Sequence, residues 1–177
     1  MHEKKLLFIF ILANFLFISN DAFAQNRADK SRAIEAVRVF YQFHFSHKDI
    51  FNQTEVSRRR RFFTSKLQQL FDAELKRQRI YLKKYPDNKP YFEGLPFQPI
   101  EFCPENYSVG AAQSTRQKAT VKVNFVYGKS SCDAKDGTKI IYKMLLSKLN
   151  GKWLIDDVVY DDGTTLTQAF SEALKIK

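Results

Sequence analysis

Apolar and polar positions divide the chain into a helical first half and a strand-rich second half. Residues 31–45 place Ala33, Ile34, Val37, Phe40, Tyr41 and His44 at steps of three and four, the stripe of an amphipathic helix, with Ser31 or Asp29 as its cap. A polar stretch, residues 47–55, leads to Arg58-Arg59-Arg60-Arg61-Phe62-Phe63. The spacing then predicts a second helix over 65–84, with Leu67, Leu70, Phe71, Leu75 and Leu82 on one face and Ser65 and Gln68 as a capping box. Tyr85-Pro86 ends it, because the residue before a proline is pushed out of helical backbone.

Residues 86–104 hold all five prolines, interleaved with Tyr91, Phe92, Phe97 and Phe102, and form a stiff crossing between the halves of one domain. Beyond it the period changes to two. Ala119, Val121, Val123, Phe125 and Tyr127 alternate with Lys118, Thr120, Lys122 and Asn124, and a second β-rich run follows over 139–149. Asn150-Gly151 signals a tight hairpin, since both central positions of a type I′ turn need positive φ. The returning strand, residues 152–160, changes phase at Asp156-Asp157, which predicts a bulge. Residues 166–174 read as a short closing helix. The expected fold is α+β: N-terminal helices packed on a curved antiparallel sheet of about four strands.

The N-terminus changes the compartment. Lys4 and Lys5 precede thirteen apolar or near-apolar residues, Leu6 to Ile18, and the small-x-small sequence Ala22-Phe23-Ala24 follows. That is the pattern of a cleavable signal peptide over 1–24, leaving a single domain over 25–177. The competing reading, an uncleaved anchor, needs about 20 apolar residues to span a bilayer. The expectation is a periplasmic or secreted product with no transmembrane anchor after cleavage. Export places Cys103 and Cys132 in an oxidising compartment, where an even pair reads as a disulfide; free thiols or a metal pair are the alternatives.

The net charge of +10 is concentrated. Between Ser57 and Pro90 eleven Lys or Arg face three acids. Arg58, Arg59, Arg60 and Arg61, with Lys76, Arg77 and Arg79, are candidates for gripping an acidic protein, an envelope polymer or an anionic membrane surface, because guanidinium pairs well with phosphate and carboxylate. A solvated basic face is the plain alternative. Basic residues beside aromatics also suit nucleic acid, which export makes an uncommon target, extracellular DNA being the open case. Phe97, Phe125, Tyr142 and Trp153 are candidates for lining a pocket, or simply for core.

Catalytic and metal signals are sparse. His44 and His47 lie three apart, with Asp49 as the acid beside them, one ligand short of an ordinary zinc set. Asp156 and Asp157 are adjacent carboxylates, which a strand turns to opposite faces. No serine sits in an elbow such as G-x-S-x-G and no glycine-rich phosphate loop is present. No catalytic residue, cofactor or metal is assigned.

The closing hairpin, N-G-K-W-L-I-D-D-V-V-Y over 150–160, resembles that of the nuclear-transport-factor-two-like superfamily, the cystatin-like α+β cone. Within it the chain resembles an uncharacterised family of exported bacterial proteins, on its signal peptide, on Val37, Phe40 and Tyr41 as a V-x-x-F-Y motif, and on Leu95-Pro96-Phe97 as a D-P-F motif that lacks its acid. The resemblance implies a sheet wrapped around a helix with a cone-shaped pocket. Two functions are expected from all this. One is a non-enzymatic envelope-binding protein that docks through its basic helix, a class that includes immunity or inhibitor proteins. The other is a small-molecule enzyme or carrier that uses the cone.

Overall fold

A computed structural model describes residues 25–99, 104, 106–127 and 139–176. Residues 1–24, read above as a signal peptide, and Cys103 and Cys132 lie outside the described residues. Helix α1 covers 25–45. Then come α2 (Gln53–Arg59), a 3₁₀ turn (Arg60–Phe62), α3 (Ser65–Lys84), strands β1 (Asn106–Ser114), β2 (Lys118–Val126), β3 (Lys139–Leu149) and β4 (Lys152–Val159), and helix α4 (Leu166–Ala173). The four strands form one antiparallel sheet in sequence order, so the domain is α+β with its helices packed on a meander.

The predicted α3 has the observed bounds, but its cap differs. Thr64, not Ser65, stands outside the helix with extended backbone, and its hydroxyl accepts the Leu67 amide. Helix α1 does not begin at 31. Helical backbone already runs through Asp29, whose carboxylate, buried inside the helix, pairs with Lys148 at 2.6 Å instead of capping a terminus. Two elements escaped the sequence pattern, α2 and the edge strand β1.

The hairpin is as expected: Asn150 has φ 49° and Gly151 φ 77°. The bulge is present too. Leu145 pairs with Asp157 and Leu146 with Ile155, leaving Asp156 as the extra residue; β1 carries a similar irregularity between Val109 and Ala112. Such insertions bend and twist a sheet.

One core joins the layers. Ala33, Val37, Phe40 and Tyr41 of α1 bury against Val121, Val123, Phe125 and Met144 on the inner face of the sheet. Leu67 and Phe71 of α3 and Leu166 and Phe170 of α4 complete it. The Tyr41 hydroxyl donates to the Phe97 carbonyl at 2.7 Å and so fixes the proline-rich crossing onto α1. At the other edge Thr64 donates its amide to Ile155 O at 2.9 Å, tying the start of α3 to β4. The interior is filled by rings: Phe97 lies 4.9 Å from Phe40, 5.2 Å from Phe63 and 5.8 Å from Phe71, centroid to centroid. Among the described residues no helix is long and apolar enough to cross a membrane.

Candidate functional site

The four consecutive arginines do not share a surface. Successive residues of a helical turn are about 100° apart, so a run of four must face four ways. Arg58 is half exposed and leans on Glu55 at 2.7 Å. Arg60 reaches across to Asp72, two turns into α3. Arg61 stacks over Phe43 and Phe62, its guanidinium carbon 4.7 and 4.8 Å from the two ring centres. Arg59 is fully buried, which removes it from any docking surface.

Arg59 is instead the centre of a polar knot between α1 and α2. Its Nη1 donates to the Glu55 carboxylate at 2.8 Å and to the Glu55 carbonyl at 2.9 Å. Its Nη2 donates to the carbonyls of His44 and Lys48, and its Nε donates to His44 Nδ1 at 3.2 Å. That last bond requires Nδ1 to be unprotonated. Burial, and then the neighbouring guanidinium, push the His44 imidazole down to about 3, so it is neutral. The Arg59 guanidinium holds the Glu55 carboxyl below the usual range. Every charge in the knot is therefore matched inside the protein, which is what a buried arginine requires.

The other proposed chemical groups are also kept apart. His44 faces Arg59, while His47 Nδ1 sits 2.8 Å from the Phe43 carbonyl. Asp49 accepts from the Leu95 amide at 2.8 Å and from Gln98 at 2.7 Å, holding the turn that carries Leu95-Pro96-Phe97. Burial raises its carboxyl. Among the described residues, no three His, Cys, Asp or Glu side chains gather as a metal set. Asp156 binds Thr64 at 2.9 Å and Lys118 at 3.2 Å, whereas Asp157 accepts the Val158 and Thr167 amides. Both acids brace the bulge.

The four aromatic candidates separate in the same way. Phe97 and Phe125 are fully buried core residues. Trp153 lines a shallow groove of about 320 Å³ with Arg32, Val39, Arg61 and Phe62. Tyr142 lines a different cleft, of about 370 Å³, with Tyr91, Phe92, Tyr160, Asp161 and Asp162.

Of the basic candidates on α3, Arg77 turns inward and makes two short bonds to buried Glu74, at 2.6 and 2.7 Å. Lys76 and Arg79 remain exposed. With Lys83 they follow the helix at steps of three and four, and with exposed Ile80 they form one solvent-facing stripe. None of the three pairs with a carboxylate among the described residues. A second basic surface was missed in the sequence. Lys122 and Lys143, both exposed, stand directly opposite each other on β2 and β3, with Lys139 further along. The alternation of β2 already pointed its lysines outward, but only the strand register shows that two of them face each other. No protein-family model matches the chain, and no curated protein matches it.

Proposed function

We propose that this chain is an exported, non-enzymatic binding protein of a bacterial cell envelope, and that the outer stripe of α3 docks an anionic partner. The observation that carries the reading is the fate of the cations. Arg58, Arg59, Arg60 and Arg77 are matched by carboxylates within the fold, whereas Lys76, Arg79 and Lys83 are exposed and pair with no carboxylate among the described residues. Lys76 and Lys83 are two turns apart, about 10 Å along the axis, comparable to the Debye length at physiological salt. Three such charges act together on a surface of closely spaced phosphates or carboxylates. Export is supported by the charged, apolar and small-x-small order of residues 1–24. Membership of the nuclear-transport-factor-two-like superfamily rests on the closing hairpin and on the helices that precede the meander.

The test is capture from envelope extracts on the immobilised protein. The reading expects a partner that is released as salt rises towards about 0.5 M, where screening shortens to a few ångströms. It also expects that partner to be lost from the triple variant Lys76→Glu, Arg79→Glu, Lys83→Glu. Retention of nothing, or of a partner indifferent to both salt and charge reversal, overturns it.

The binding reading is preferred to a carrier or enzyme that uses the interior of the cone. The space between helices and sheet is occupied by Phe40, Phe63, Phe71 and Phe97, each at most 1 % exposed.

A further inference from the structure

The cleft beside Tyr142 carries acids where the net charge of the molecule is basic. It opens between residues 91–99, the ends of β3 and β4, and α4. Among the described residues no lysine or arginine lines it, although the chain carries +10, while Asp161 and Asp162 both stand at it. The cavity between α1 and the Asn150 hairpin is lined by both signs, Arg116 and Lys148 with Asp29, and so is the groove at Trp153, by Arg32, Arg61 and Lys152 with Glu35.

The walls are aromatic and held in place. Tyr142 and Tyr160 meet edge to face at 5.0 Å, as Tyr91 and Phe92 do at 4.9 Å. The Tyr160 hydroxyl donates to the Pro96 carbonyl at 3.2 Å, linking the two sides of the cleft. Its amide donates to Thr164 O at 2.9 Å, and Asp162 accepts both the Thr164 amide and hydroxyl, so the turn carrying the acids is fixed. Burial pushes the Tyr160 phenol well up, so that ring is neutral. Asp161 is exposed and makes no ion pair among the described residues.

An aromatic face attracts a cation through the negative face of its ring quadrupole, and a carboxylate at the rim adds a Coulomb term. A metal ion or a primary ammonium keeps its hydration shell and needs oxygen ligands or acceptors on several sides. A mostly carbon wall does not supply them. A cation sheathed in methyl groups loses little on leaving water and fills carbon-lined space well. We propose that this cleft binds an alkylated ammonium group of the trimethylammonium type. The volume of about 370 Å³ lies at the lower end of the range for small-molecule sites. The inference does not depend on what α3 docks.

The probe is choline, compared with 3,3-dimethylbutan-1-ol, the same shape with carbon in place of the charged nitrogen. Both are titrated into the purified chain and followed by the NMR signals of Ile140 and Ala169, which line the cleft. Choline is expected to bind at least about tenfold more tightly than the alcohol. Tyr91→Ala and Asp161→Asn, two changes at exposed side chains, are each expected to weaken choline about three- to tenfold and leave the far-ultraviolet circular dichroism unchanged. Capture on phosphatidylcholine vesicles that depends on Tyr91 assigns the group to a lipid head; its absence, with choline still bound, assigns it to a free small molecule. The proposal is overturned if the neutral alcohol binds as well as choline, if Tyr91→Ala binds choline undiminished, or if neither compound moves the Ile140 and Ala169 signals up to tens of millimolar.

Discussion

Replacing Arg59 by Met keeps most of the side-chain volume and removes the charge. The Glu55 carboxylate, 3 % exposed, then loses its buried partner and retains only Arg58 at the surface. The carbonyls of His44 and Lys48 and the Nδ1 of His44 lose a donor. Breaking a buried ion pair from one side costs about 3–5 kcal/mol, because the remaining charge stays desolvated. With a urea dependence of about 2 kcal/mol per molar, the unfolding midpoint should fall by roughly 2 M. Arg60→Met removes an exposed pair with Asp72 and should cost at most about 1 kcal/mol. The double variant Arg59→Met, Glu55→Met should recover much of the loss, since apolar replacement of both partners is often close to neutral. Urea unfolding followed by Trp153 fluorescence reads all four proteins. If Arg59→Met and Arg60→Met lose the same small amount, the buried knot is wrong.

Three further predictions rest on separate features. His44 is neutral when folded, at about 3, but takes a proton near 6.5 when unfolded. Stability should therefore fall as pH drops from 6.5 towards 3, by up to about 1.4 kcal/mol per pH unit, and His44→Gln should flatten urea midpoints measured between pH 7 and pH 5. Gly151→Ala meets no atom within 4 Å but must hold φ near +77°, so thermal unfolding should show a loss of about 1–2 kcal/mol from backbone strain alone. Intact mass before and after reduction should show Cys103 bridged to Cys132; closing a loop of about 30 residues, that bridge should contribute about 3–4 kcal/mol, and unchanged thiol reactivity would refute it.

How far this architecture was legible varies from element to element. Helix α3 could be read to its observed bounds because its apolar stripe is long and ends at Tyr85-Pro86, although its cap was placed one residue late, at Ser65 instead of Thr64. The bulge could be read because two acids interrupt a strict alternation. Strand β1 could not. Its sequence, Asn106 to Ser114, includes Gly110, Ala111 and Ala112, and as an edge strand it is nowhere fully buried, so neither propensity nor period marks it. The arginine run misled for a different reason. It reads as one charge patch in a line of text, but the helix turns between its residues. A signal was present: Val56 and Arg59 are three apart, which puts Arg59 on the buried side of a helix, with Glu55 one turn earlier to receive it. The aromatic cleft had no such signal, because Tyr91 and Tyr160 come together only when the proline-rich crossing folds back onto the end of β4.

The α3 docking surface is tested most directly by partition onto vesicles containing anionic phospholipid at low salt, comparing two triple variants of equal charge. One reverses Lys76, Arg79 and Lys83 on the helix; the other reverses Lys122, Lys139 and Lys143 on the outer face of the sheet. At about 1 kcal/mol per basic residue at an anionic surface, the helix variant should lose at least about a hundredfold in partition, and the sheet variant only the small part due to net charge. Equal losses would mean that bulk charge alone governs binding, and a larger loss in the sheet variant would move the docking face to β2 and β3; either contradicts the assignment to α3.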